Sequence, residues 1–194
     1  MFKISMNDID RLFKAISEVD TLYLPIERGE QIEFYAYDEE AKVRLDALHT
    51  VKSAKDAFLP NCETMMKFKV EGKNIEVEET ARVEEEFVIF GVRACDARSF
   101  SILDKVYLSD PVDTFYAARR EHGVVVSMAC NRPEETCFCN KFDIDATKPE
   151  GDVVTWIVGD ELFWEAQTEK GEALTEKVKS VLTDADSAAV DKQR

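Results

Sequence analysis

The 194-residue sequence carries 40 acidic against 25 basic side chains, for a net charge of −15. That balance excludes a binder of phosphate backbones, which needs a basic surface. It fits a well-solvated protein, or one that docks onto a basic partner. With 45% hydrophobic residues the chain can bury one sizeable core, and no apolar run reaches the roughly 18–20 residues that cross a bilayer.

The N-terminus, "MFKISMNDIDRLFKAISEVD", has charges every few residues and no apolar core or small-residue cleavage site, so it does not read as a signal peptide. A cytoplasmic location is expected, where thiols stay reduced. Asn7 can cap a helix, and Ile9, Leu12, Phe13 and Ile16 recur at helical spacing, which predicts an amphipathic helix over 7–19. "TLYLPIE" and "QIEFYAYD" alternate around "RGE" and predict a β-hairpin, with Pro25 marking an edge or a bend. "EEAKVRLDALH" reads as a short helix or loop, and "MMKFKV" with "IEVEE" as a second hairpin.

The middle of the chain changes character. "EEFVIFGVR" is a nearly continuous apolar run, the pattern of a strand buried on both faces. "CDARSFSILDKVYL" has helical spacing, with Phe100, Leu103 and Val106 as its expected buried face. "DTFYAARREH" follows as a helix capped by Asp113 or Thr114, and "GVVVSMAC" as a second buried strand. Residues 85–130 thus predict a strand–helix–helix–strand crossover with two parallel neighbouring strands. Further on, "VVTWIVGDELFWEA" predicts a third hairpin turning at Gly159–Asp160, and "EKGEALTEKVKSVL" an amphipathic helix. The fold class expected is α/β (α+β), a mixed sheet with a parallel crossover and added hairpins. Residues 1–182 are expected as one domain and 183–194, polar and aperiodic, as a flexible tail.

Five cysteines are present. An odd count in a reducing compartment favours metal ligation or redox chemistry over disulfides. Cys95 and Cys130 are each expected just past the C-terminal end of a parallel strand, where ligand sites of open α/β sheets gather. Cys137 and Cys139, one residue apart, lie on a loop long enough to fold back over those ends. Four thiolates suit zinc or an iron–sulfur cluster. Cys-x-Cys is tight for a zinc knuckle, while a [4Fe–4S] cube draws each thiolate to a different iron. On spacing alone, the cluster, a zinc site and unliganded thiols all stay open. Cys62 lacks a partner motif, and neither His49 nor His122 sits in a nucleophile pattern.

Arg93, Asp96, Arg98, Arg119 and Arg120 flank the cysteines in an otherwise acidic chain. Guanidinium groups beside an anionic cluster would raise its potential; alternatively they form surface ion pairs with local Asp and Glu. No Gly-x-Gly-x-x-Gly follows a predicted strand, which argues against a flavin- or nicotinamide-dependent enzyme.

Several motifs occur in a fixed order: Arg93, Cys95 and Asp96; Asp104 to Ser109; Arg120 to His122; Cys130; and Cys137 to Cys139. With the Lys-x-x-Phe-x-Pro-x-x-Glu stretch in "SAKDAFLPNCETMMKF", this order resembles a family of iron–sulfur electron-transfer subunits. The family includes the beta subunit of sulfhydrogenase-type nickel–iron hydrogenases and the A subunit of anaerobic sulfite reductase. The likeness covers about residues 50–150 best. It implies a non-catalytic electron-transfer component of a cytoplasmic oxidoreductase complex, with Cys95, Cys130, Cys137 and Cys139 binding a [4Fe–4S] cluster, or zinc as the alternative. Arg93 and Arg98 are expected beside the cofactor. The implied partners are other subunits, flavin/NAD(P)H- or ferredoxin-linked, and a catalytic subunit, with no nucleic acid and no membrane. Family members continue into a ferredoxin-like module with two further clusters. This sequence contains none, so residues 183–194 are expected to lead toward one. The competing expectation is a structural docking domain with a zinc-bound or empty cysteine site.

Overall fold

A computed structural model describes residues 1–79 and 85–193. β1 (Phe2–Ser5) runs through a 3-10 turn at Met6–Asp8 into α1 (Ile9–Ser17), one turn shorter than the periodicity predicts. β2 (Thr21–Arg28) and β3 (Gln31–Ala36) form the first expected hairpin, and β4 (Met66–Glu71) and β5 (Asn74–Glu79) the second. β6 (Phe87–Arg93), α2 (Ala94–Tyr107), α3 (Thr114–His122) and β7 (Gly123–Met128) make the predicted crossover. β8 (Val153–Val158) and β9 (Glu161–Ala166) are the third hairpin, turning at Gly159 with φ of 59°. α4 (Glu169–Val178), β10 (Thr183–Asp184) and α5 (Ala188–Gln193) complete the described chain.

Eight strands form one sheet in the order β10-β1-β9-β8-β7-β6-β2-β3. Its centre, β2, β6, β7 and β8, is parallel, and the flanking pairs are antiparallel. All of β6 and β7 is buried, as their unbroken apolar runs require. Val88 and Phe90 point to one face, against Leu12, Phe13 and Ile16 of α1 and Leu174 and Val178 of α4. Phe87 and Ile89 point to the other, against Ala97 and Phe100 of α2 and Tyr116 of α3. Gly91, with φ of 93°, sits where β6 shifts register, and the Pro25 ring packs against it. Pro25 therefore lies in an inner strand but beyond Thr21–Tyr23, the part of β2 that bonds to β6, so its missing N–H leaves no ladder broken on that side.

Two local expectations are corrected. Val106 of α2 is 59% exposed. The helix turns Ala97, Phe100, Leu103 and Tyr107 inward instead, and Val106 falls off that stripe. The polar stretch from Thr183, expected as a tail, carries β10 on the β1 edge and α5 beyond it. Val190 is fully buried with Trp156 and Phe163; one well-placed apolar side chain holds the segment where the average composition suggests none.

Candidate metal centre

β6 and β7 are hydrogen-bonded neighbours and end at the same edge of the sheet. Cys95 follows in the first turn of α2, and Cys130 lies two residues past β7. The segment from Ala129 to Asp152 then joins β7 to parallel β8 with only a 3-10 turn at Cys139–Lys141. Such a long connection without regular structure usually carries function. It is tied down at several points. Cys130 N–H donates to the Ala146 carbonyl at 2.8 Å and Ala129 N–H to Thr155 at 2.9 Å. Trp156 Nε1 donates to the Thr147 carbonyl at 2.7 Å. Ile144 N–H and Phe142 N–H both donate to the Cys139 carbonyl at 3.1 Å, and Glu134 N–H reaches the Cys137 Sγ at 3.3 Å.

Cys95, Cys130 and Cys139 feel one another electrostatically across this loop. Cys95, Cys130 and Cys139 are half-buried, and Cys137 is exposed. Burial pushes the Cys95 thiol up, as do Asp96 and Cys139. Burial also raises Cys130; Arg93 opposes this and Cys95 adds to it. Cys139 is raised by burial, then by Cys130 and Cys137. Cys95, Cys130 and Cys139 thus each respond to another cysteine of the set. A soft cation or cluster would relieve this mutual repulsion, because thiolates need a compensating positive centre. Among the described residues, no three His, Cys, Asp or Glu side chains form a group that could hold a metal ion. Cys62 is exposed and takes no part in the group.

Arg93, at the end of β6, is only 8% exposed. Its guanidinium donates to the carbonyls of Ala47 (Nε at 3.1 Å, Nη2 at 2.9 Å), Leu45 and Ala129 (Nη1 at 3.2 Å). Among the described residues no carboxylate ion-pairs with it. Burial lowers its pKa, while Cys130, Asp46 and Cys95 work the other way. A cation is thus held by neutral carbonyls, with Cys130, Asp46 and Cys95 as the acidic groups near it. The segment around residue 47 also meets the cysteine loop through His49, whose Nε2 lies 3.2 Å from Glu134 and 3.3 Å from the Thr136 hydroxyl.

The other charged candidates are engaged elsewhere. Arg98 pairs with Glu150 at 2.8 Å on the surface, and Asp96 accepts from Lys55 at 2.6 Å and Ser53 at 2.9 Å. Arg119 pairs with Glu63, and Arg120 grips Asp104 with two bonds of 2.8 and 3.0 Å. All three arginines form ion pairs as expected, but with carboxylates distant in sequence rather than local, and those of Arg119 and Arg120 are part-buried rather than on the surface. The Arg93 clamp and the His49 contact had no sequence signal, since the clamp's acceptors are backbone carbonyls and His49 stands outside any motif.

No family model and no solved structure matches the chain. Among curated proteins it is similar to sulfhydrogenase 2 subunit beta of Pyrococcus furiosus, 30% identical over 178 residues. The match covers 85% of this chain and 51% of the relative, so the chain spans about half the length of the curated relative. It is a distant homologue of a hydrogenase beta subunit.

Proposed function

We propose that this chain is an electron-transfer domain of a multi-subunit oxidoreductase of the hydrogenase type, with Cys95, Cys130, Cys137 and Cys139 as ligands of a [4Fe–4S] cluster. The observation that supports the reading is the mutual influence of Cys95, Cys130 and Cys139, drawn from three chain segments, beside the buried Arg93 guanidinium. The chemistry of the donor set fits the cluster: four soft thiol side chains with a fixed positive charge near two of them. When bound, the cluster supplies one-electron chemistry. The chain's own residues do the rest. Arg93 offsets the negative charge that four thiolates bring and anchors the Ala129 carbonyl next to Cys130. The bonded loop from Ala129 to Asp152 holds Cys130, Cys137 and Cys139, of which Cys130 and Cys139 are half-buried. Arg98, with its charge balanced by Glu150, would contribute less to the potential than Arg93. Companion subunits would provide the electron donor and acceptor, and a reducing compartment such as the cytoplasm would keep the thiols available. No helix among the described residues is long and apolar enough to cross a membrane.

The test is iron, sulfide and zinc content of protein purified without oxygen, with its absorbance spectrum. About four iron and four sulfide per chain are expected. Cys137→Ala should lose the iron with an unchanged far-ultraviolet circular dichroism spectrum, and Cys62→Ser should keep it. Zinc alone would convert the site into a structural staple and end the electron-transfer reading.

A further inference from the structure

A cavity of about 370 Å³ opens between the main sheet and the connection from β3 to β4. Tyr23 of β2, Phe34 of β3, and Phe87 and Ile89 of β6 line it. All four belong to the cluster on the sheet face that α2 and α3 cover. The 3-10 turn Ala54–Ala57 contributes to the lining as well. The size is within the roughly 300–1,000 Å³ of small-molecule sites. The connecting segment is pinned in place. Val51 N–H donates to the Ile32 carbonyl at 2.8 Å, and the Ser53 hydroxyl and Lys55 ammonium donate to Asp96 at 2.9 and 2.6 Å. Phe58, 1% exposed, has its ring 5.4 Å from Phe87 and 4.9 Å from Phe100. A segment held at these points does not slide inward to close the cavity.

Most polar side chains of the lining are already engaged. Glu33 accepts from the Tyr35 hydroxyl at 2.7 Å, Arg119 pairs with Glu63, and Ser53 is held by Asp96. Two charged ones are not. The side chains of Lys52 and Asp56 both line the cavity, and neither has a hydrogen-bond or ion-pair partner among the described residues, the other included. A free cation and a free anion, four residues apart, thus stand beside aromatic walls. An anionic occupant would satisfy Lys52 and face the like charge of Asp56. A cationic one would do the reverse, and a neutral ring would leave both without an ionic partner. An occupant with both charges makes two charge-assisted hydrogen bonds, the stronger kind, and an aromatic body suits rings that pack edge to face.

We propose that this cavity binds a free aromatic α-amino acid, with its carboxylate at Lys52, its ammonium at Asp56 and its ring against Tyr23, Phe34 and Phe87. Isothermal titration calorimetry of the full chain tests it with L-phenylalanine, L-tryptophan, phenethylamine, 3-phenylpropionate and adenosine. One of the two amino acids should bind at one per chain. Phenethylamine, which lacks the carboxylate, and 3-phenylpropionate, which lacks the ammonium, should each bind about tenfold more weakly or worse, as should adenosine. Lys52→Gln should weaken the amino acid about tenfold and leave phenethylamine unchanged. Asp56→Asn should weaken the amino acid and leave 3-phenylpropionate unchanged. A variant that had merely lost its fold would weaken every probe, so the matched pairs separate a charge contact from a structural one. Absence of binding by both amino acids at millimolar concentration overturns the proposal. Adenosine binding more tightly than either overturns it and assigns the cavity to a neutral heterocycle. Amino-acid binding indifferent to Lys52→Gln overturns it too. Cys137→Ala should bind the amino acid as wild type does, so this proposal and the cysteine reading fail separately.

Discussion

Replacing Arg93 by methionine separates its clamp from its volume, because methionine refills most of the stem and donates nothing. The guanidinium makes four bonds to three carbonyls in a site where the residue is 8% exposed. Hydrogen bonds to a charged group are worth about 1.5–3 kcal/mol each net, but burying the ion costs several kcal/mol. The substitution also strands the Leu45, Ala47 and Ala129 carbonyls, at about 1–3 kcal/mol for each that water cannot reach. These terms converge on a loss of about 3–5 kcal/mol, the usual result of removing one partner of a buried charged group. At roughly 2–4 °C per kcal/mol for a chain of this size, the melting temperature should fall by about 10 °C. Arg93→Lys keeps the charge but cannot fork to three acceptors, and should fall between. Thermal and urea unfolding of protein purified without oxygen, with and without chelator, reads both. If Arg93→Met stays within about 0.5 kcal/mol of wild type, the clamp does not hold the three segments together. In iron-loaded protein the same substitution should also lower the midpoint potential, since the cation favours the more negative reduced state.

Gly171 offers a test of sign. A Cβ there would lie 2.0 Å from the Asp152 carbonyl oxygen, which is fixed by Gln167 N–H at 2.8 Å. Gly171→Ala should cost about 3 kcal/mol or more by urea unfolding, a large overpacking penalty, where an open helix position would gain up to about 1 kcal/mol; any stabilisation refutes the close approach. Asp104 governs an acid limb. Burial pushes its carboxyl up, but Arg120 and Tyr116 outweigh that and hold it below the usual range. A depressed folded pKa gives stability that is present above the unfolded value, about 3.9, and lost as pH falls through the lower folded value. Asp104→Asn should therefore be less stable at neutral pH and lose stability less steeply below about pH 4; an acid limb as steep as wild type would assign the slope to other carboxylates.

Much of the fold was legible because local pattern and tertiary role agree. The three hairpins alternate, and β6 and β7 are apolar throughout, so their burial on both faces follows directly. What stayed hidden depends on partners distant in sequence. β1 pairs with β9, Phe2 opposite Trp164, and nothing in four residues announces a partner so far along the chain. α2 has its inward stripe rotated to Tyr107 because Tyr107 stacks on Tyr116 at 5.1 Å, a contact that a hydrophobicity pattern does not encode. α5 hangs on Val190, whose value comes from Trp156 and Phe163 beneath it.

The cysteines and the arginines near them in sequence separate for a topological reason. A parallel crossover leaves the sheet at the C-terminal edge of β6 and must return to the N-terminal edge before β7 begins. Cys95 is at the departure, while Arg119, Arg120 and His122 are at the return. His122 meets Glu86, just before β6, at 3.0 Å, and Lys170 reaches the carbonyl of Gly123, the first residue of β7, at 3.2 Å. The two groups therefore lie at opposite ends of the strands, although both precede Cys130 in the chain. Arg93 stays with the thiols because it is the last residue of β6 itself. Of the flanking arginines, Arg93 and Arg98 leave the sheet at the same edge as Cys95; Arg98 is balanced by Glu150, and Arg93 is the one held without a carboxylate ion pair.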